Sequence, residues 1–257
     1  MQPRKIAFAN QKGGVGKTST TLGIASAAAK LGVNVLVVDA DPQGNSTKGL
    51  SVDITDDQLT TFDLMNSSII GRAAEAIVAT EWNHVDLIPA DSQLANIESD
   101  GSNDLIFRME MAFEGVDLSS YGLVLIDCPP SLGKILFSVL VAADGVVAVT
   151  EPTIDSVDGV INLAETIGHV RRRPNKDLTF DKIVISRKRG TGEHTYRENE
   201  LRTEFGELVA KTVIPDLATR QDAHSSRTPI HEYKGGTSIR LQVAYDDLLS
   251  EIREVSA

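Results

Sequence analysis

Apolar residues in this chain cluster in short consecutive runs, rich in β-branched side chains, at 5–10, 33–39, 85–89, 123–127, 145–150, 182–186 and 211–215. A strand with one face in water alternates apolar and polar residues, whereas a strand covered on both faces is apolar at successive positions. These runs therefore predict strands held between two layers. Helical spacing marks 17–31, 104–113, 131–143, 156–173, 195–205 and 238–255. Strands that alternate with helices need crossover connections, so the expected fold is α/β, with three layers, a mostly parallel twisted sheet and helices on both faces. The stretch 50–68 is polar and weakly patterned. No internal repeat and no Pro/Gly/Ser-rich linker divides the chain, which predicts a single domain over 1–257.

Composition narrows the class without naming a function. The 257 residues are 41% hydrophobic and 24% charged, which excludes a disordered or collagenous chain. Lys+Arg number 25 against 36 Asp+Glu, a net charge of −11, so a nucleic acid or anionic lipid would need a local basic patch against the overall field. One cysteine closes no intrachain disulfide and builds no four-cysteine site, so the chain reads as cytoplasmic and without a structural metal. Arg4-Lys5 is followed by only four apolar residues, 6–9, too few for a secretory signal. No run approaches the roughly 18 apolar residues of a membrane span.

Candidate chemistry begins directly after the first run. Lys12-Gly13-Gly14-Val15-Gly16-Lys17-Thr18 opens the Ala-rich first helix, and Gln11 stands where the pattern G-x-x-x-x-G-K-[ST] has its first glycine. Glycines let backbone N–H groups turn onto phosphate oxygens, and a helix N-terminus adds about half a positive charge there. Lys17 would reach the β- and γ-phosphates, and the Thr18 hydroxyl would ligate Mg²⁺. The alternative is a plain glycine turn with two exposed lysines.

This variant loop resembles that of the deviant Walker A ATPases, a family that includes ParA partition proteins, MinD and the nitrogenase iron protein. The resemblance implies a P-loop NTPase fold, ATP and Mg²⁺ as cofactors, and nucleotide contacts from Lys12, Gly13, Gly14, Val15, Gly16, Lys17, Thr18 and Ser19. It further implies that Lys12 reaches across an ATP-dependent homodimer to the partner's phosphates, a charge supplied in trans like an arginine finger. Val38-Asp39-Ala40-Asp41-Pro42-Gln43-Gly44-Asn45 resembles the D-x-D-P-Q-G-N switch of the ParA branch. By that resemblance Asp39 lies near Mg²⁺ and Asp41 is the catalytic carboxylate that orients water; a simple turn with a helix cap is the other reading. Leu123-Val124-Leu125-Ile126-Asp127 ends four apolar residues in an acid, as a Walker B strand does, so Asp127 is expected to hold Mg²⁺. Cys128 beside it reads as packing. Thr212-Val213-Ile214-Pro215, followed by a polar helix, and Ile183-Val184-Ile185-Ser186 are similar to the family's base-binding segments, which implies nucleotide contacts from Ser186 and Pro215. Relatives often carry Asn or Thr where Ser186 stands.

Branches of the family differ in what else they require. A cluster-bridging redox protein needs two cysteines from each subunit. A MinD-like positioning ATPase needs a basic amphipathic C-terminal helix, whereas 241–257 contains Asp246, Asp247, Glu251 and Glu254 against Arg253 alone. A MinD-like ATPase and a small-molecule ATP-dependent enzyme on the same fold stay as alternatives. The D-P-Q-G-N switch and Pro229-Ile230-His231-Glu232-Tyr233 favour the ParA branch. That branch implies a DNA-partition ATPase, weak by itself, whose ATP dimer binds DNA non-specifically in the nucleoid and releases it when a ParB-like centromere-binding protein stimulates hydrolysis. It implies no membrane partner. Four residues before the first strand leave no room there for a helix-turn-helix. Expected DNA contacts are Arg187, Lys188, Arg189, Arg220 and Arg227, with Arg171, Arg172, Arg173 and Lys234 as further basic candidates. Successive helical residues point about 100° apart, so 171–173 cannot all face one duplex, and cations offsetting a helix dipole explain them equally. His84, His169, His194, His224 and His231 show no metal spacing and are expected at the surface or at helix ends.

Overall fold

Eight strands form one sheet in the order β3-β4-β2-β5-β1-β6-β7-β8. They are β1 (Lys5–Ala9), β2 (Val35–Asp39), β3 (Val78–Ala79), β4 (Val85–Ile88), β5 (Leu123–Asp127), β6 (Gly145–Thr150), β7 (Thr179–Lys188) and β8 (Val209–Pro215). The computed structural model describes residues 2–255. Every neighbouring pair is parallel except β3–β4. The two-residue β3 is too short to carry any periodicity and was not among the runs expected from sequence.

Both faces of the sheet are covered, which is why its strands read as unbroken apolar runs. Along β1, Ala7 and Ala9 join one core with α5 (Arg108–Phe113), α6 (Lys134–Ala142), α7 (Ser156–Arg172) and α8 (Gly192–Phe205). Ile6 and Phe8 join the other core with α1 (Lys17–Lys30) and α10 (Ser238–Val255). Phe8 is fully buried, worth roughly 1.5–3 kcal/mol relative to exposure. Helices α1 and α10 approach closely at Gly23, where an added Cβ would stand 2.4 Å from the Tyr245 ring. Glycine there is a matter of space.

Boundaries shift where distant groups act. β7 runs beyond 182–186 because Arg4 bonds both Thr179 and Asp181 and holds the polar start of the strand in place. The helix expected at 131–143 begins only at Lys134, after Pro129-Pro130, and the Glu98 carboxylate accepts the Lys134 backbone N–H at 2.8 Å. The segment 104–113 divides into a 3₁₀ turn, Leu105–Phe107, and α5. Inside the weakly patterned 50–68, Thr60 and Asp63 form a capping box that starts α3 (Thr61–Met65). Short helices α2 (Asn45–Gly49) and α4 (Ala73–Ala76) complete the first half, and α9 (Ala218–Ser225) is the polar helix after β8.

This strand order places β5 between β1 and β2, so the chain leaves β1 and returns beyond its neighbour. The carboxyl ends of β1, β2 and β5 converge there, the position at which open α/β sheets bind ligands.

Candidate nucleotide site

The loop after β1 is pinned before it turns. The buried Asn10 donates through Nδ2 to the Val149 carbonyl at 2.7 Å and accepts the Lys12 N–H at 3.0 Å. Gly16 then caps α1 in the left-handed region, φ 97°. A side chain at Gly16 would be strained, and its Cβ would also meet the Ser186 hydroxyl at 2.6 Å. No side chain caps α1, so its first N–H groups are free for an anion.

A cleft of about 570 Å³ lies over this helix end, lined by Gly13, Gly14, Gly16, Lys17, Thr18, Ser19, Asp41, Gln43, Asn45, Pro130 and residues of α9. Lys17 is 6% exposed. Burial pulls its pKa below the ordinary lysine value, and Asp127 pulls the other way. Val15 is buried in the core side of the loop. Lys12 turns outward, with its Nζ 3.1 Å from Thr153 Oγ1 and 3.5 Å from Asp155.

Asp39 and Asp127 are register partners at adjacent strand ends and are wholly buried. Burial raises the Asp39 carboxyl to about 7, and the nearby Asp127 charge adds to this. Burial likewise raises Asp127 to about 6, against the hydroxyls of Thr18 and Ser46 and the Lys17 charge. Two carboxylates this close cannot both ionise cheaply without a cation. Asp39 Oδ2 accepts from the Thr47 N–H and hydroxyl, each at 2.8 Å, and Asp127 Oδ2 accepts from Ser46 at 2.8 Å. Asp127 Oδ1 is buried without a partner. That orphaned oxygen beside the Thr18 hydroxyl suits Mg²⁺, which takes few protein oxygens and otherwise water and phosphate. Among the described residues no trio of His, Cys, Asp or Glu is grouped as a metal cage. Asp41 lines the cleft, and its Oδ1 accepts the Gln43 N–H at 2.9 Å. Cys128 packs in the core, where burial pushes its thiol pKa up.

The structure disperses the other expected residues. Ser186 is buried against Gly16 and supports the loop from below. Pro215 lines a separate cleft of about 770 Å³ with Lys188, Arg189 and Lys211. Arg187, at φ 55°, points back to the phosphate loop: its Nη1 donates to the Gly14 carbonyl at 2.7 Å and lies 3.5 Å from Glu151. Arg220 also lines the phosphate cleft. Lys188 pairs with Glu198, and Arg189 with Asp216 at 2.8 Å. Arg227 and Lys234 are exposed, as are Arg171, Arg172 and Arg173 at the end of α7.

His231 departs from its expected surface position. Its side chain is 3% exposed, with Nδ1 2.8 Å from Ser26 Oγ and Nε2 3.1 Å from Asp246. It links α1 to α10, a pairing made by residues far apart in sequence. Asn10, Ser46, Thr47 and Arg187 are the supporting residues that sequence reasoning missed. For the first three a signal existed, namely polar side chains abutting a strand end and a Gly-Asn turn.

Comparison with known proteins agrees with this geometry. Residues 3–180 match the family described as AAA domain. The chromosome partitioning protein ParA of Caulobacter vibrioides is 34% identical over 238 residues, covering 90% of this chain and 87% of that protein. The sporulation initiation inhibitor protein Soj of Bacillus subtilis is 33% identical over 250 residues, covering 96% and 97%. Among solved structures, cobyrinic acid a,c-diamide synthase from Mycobacterium smegmatis with bound ADP and magnesium superposes with a TM-score of 0.78 at 27% identity, covering 97% of this chain and 93% of that one. On a family match that spans more than half its length and relatives a third identical along most of it, this chain belongs to the ParA-type P-loop ATPases.

Proposed function

We propose that the protein is the ATPase of a DNA-partition system, working as an ATP-dependent sandwich dimer. The outward turn of Lys12 carries this reading. Lys17 occupies the chain's own cleft while the Lys12 ammonium stands outside it, 42% exposed and held, among the described residues, by Thr153 and Asp155 alone. An exposed ion pair of this kind is worth under about 1 kcal/mol, so Lys12 is free to exchange it for the γ-phosphate of a facing subunit. There it supplies charge in trans as the phosphoryl group departs.

Within one subunit, the loop N–H groups from Gly13 to Ser19 and the Lys17 ammonium hold the phosphates. Thr18 and Asp127 would hold Mg²⁺, with Asp39 behind them, and the ion would supply positive charge to offset that of the phosphates. Asp41 orients the attacking water and takes its proton. Ser186 supports the loop from below. The dimer binds DNA non-specifically through basic residues drawn from Lys188, Arg189 and Arg227, and a ParB-like partner stimulates hydrolysis and release, within the cytoplasm at the nucleoid.

Size-exclusion chromatography and DNA co-sedimentation test this together. Wild type is expected to dimerise and sediment with DNA in ATP, and in ADP to do neither; Lys12→Ala should bind ATP and stay monomeric. Six phosphate contacts per dimer give a log–log salt slope near −5. A Lys12→Ala protein that dimerises like wild type removes the trans-lysine assignment. The similarity to a small-molecule synthase supports a second reading, a small-molecule ATP-dependent enzyme on the same fold, and absence of DNA binding in every nucleotide state would favour it.

A further inference from the structure

We propose that Arg220 is a phosphate ligand of the bound nucleotide, contributed in cis from α9 and directed at the α-phosphate. The inference rests on the nucleotide reading above and adds a residue to it. Helix α9 forms the rim of the cleft opposite the phosphate loop, and Arg220 lines the cleft together with Lys17, Thr18 and Ser19. Its Nη1 donates to Ser19 Oγ at 2.7 Å, joining residues 201 positions apart in the chain.

The guanidinium lacks a charge partner. The acid near it, Asp216, is already engaged: Oδ2 accepts Arg189 at 2.8 Å, and Oδ1 lies 3.6 Å from Arg187. Among the described residues no carboxylate lies within ion-pair distance of Arg220, and its Nε is buried without an acceptor. A neutral hydroxyl compensates a desolvated cation poorly, whereas an anion with several oxygens matches its fork of donors.

Position along the phosphate chain follows from the loop. Lys17 extends toward the β- and γ-phosphates, and the N–H groups of the loop and first helical turn take the α- and β-phosphates. Ser19 is two residues past Lys17 in that turn, so an anion that replaces its hydroxyl on Arg220 is at the α end. Because ATP and ADP share this phosphate, Arg220 would retain nucleotide in both states, unlike Lys12, which meets only the γ-phosphate.

Isothermal titration with ATP and with ADP on wild type, Arg220→Ala, Arg220→Gln and Arg220→Lys decides the matter, with thermal melting of each apo protein as the folding control. Arg220→Ala is expected to lose affinity for both nucleotides by the same factor, about 10- to 100-fold. Arg220→Lys should lose less, and Arg220→Gln, which keeps length without charge, stands in should the alanine variant melt early. Affinities within about twofold of wild type for all variants would overturn the proposal. So would a loss confined to ATP, which would mark a γ-phosphate contact, or weaker DNA retention with unchanged nucleotide affinity, which would make Arg220 a DNA contact. Wild type that binds neither nucleotide would instead overturn the function reading, and this inference with it.

Discussion

Two regions at the carboxyl edge of the sheet, separated by β1 and β6, handle charge in opposite ways. At the ends of β2 and β5, Asp39 and Asp127 are buried side by side, and one Asp127 oxygen has no partner. At the end of β7, Lys188 and Arg189 lie nearer solvent and each already holds an acid, Glu198 and Asp216. The first region is electrostatically incomplete until a cation and phosphates arrive. The second is complete, so any anion must displace internal partners to use its cations. Burial, not the number of charges, therefore creates the capacity for tight binding, while the exposed pairs leave room only for weak and salt-sensitive contacts.

The sharpest way to test the buried region is to separate its acids. Asp41→Ala should bind ATP nearly as wild type and hydrolyse it at least about 10²-fold more slowly, because its role is exercised on the way to the transition state. Asp127→Ala should weaken Mg·ATP binding as well as turnover. Single-turnover rates read beside ATP affinity distinguish the two, and unimpaired hydrolysis in Asp41→Ala would end its catalytic assignment.

Gly16→Ala should come next in size. The left-handed φ and the Ser186 contact both oppose a Cβ, at a cost of about 1–3 kcal/mol for the backbone alone. Expected is a fall of about tenfold or more in ATP affinity together with a melting temperature lowered by a few degrees, measured by titration and calorimetry.

A pH titration examines the buried pair directly. Both carboxyls are raised in the folded protein, Asp39 to about 7 and Asp127 to about 6, so the native state holds more protons than the unfolded chain between about pH 4 and pH 7. Their contribution to stability is thus full below the unfolded pKa and is lost as pH rises through the folded values. Lowered carboxyls elsewhere, such as Asp216 and Glu198, act in the opposite sense, so the useful quantity is a difference. Denaturant unfolding of the nucleotide-free protein should show Asp39→Asn gaining on wild type from pH 5 to pH 7.5, with Mg·ATP shrinking the gap. A pH-independent difference would refute the raised carboxyls.

The smallest effect belongs to the exposed region. Asp216→Asn releases Arg189 and loosens Arg187, so retention on DNA in ATP should tighten by about two- to fivefold and the salt slope should steepen. Weaker retention would mean that these ion pairs position the cations for DNA instead of competing with it.

Much of this was legible along the chain because it depends on neighbours in sequence. Runs such as Leu123–Asp127 are apolar throughout because two layers cover them, and Gly13 to Thr18 follows a strand and opens a helix, so the sheet and the phosphate loop could be read directly, whereas Asp39 and Asp41 were singled out only by their resemblance to a family switch. Arg220 could not. As one basic residue in a polar helix it reads as a surface cation, yet β8 and α9 bring it to Ser19. Arg187 is likewise turned to Gly14 across 173 positions, and His231 is buried between α1 and α10.

Local chemistry thus determined the elements, their layering and the form of the phosphate loop, since glycine conformation, helix-end polarity and runs of buried apolar side chains act within a few residues. Only the tertiary structure decided which cations remain free. A charge's partner is whatever acid folding brings within a few ångströms, and Coulomb attraction at that range, strengthened by burial, has no record in sequence spacing.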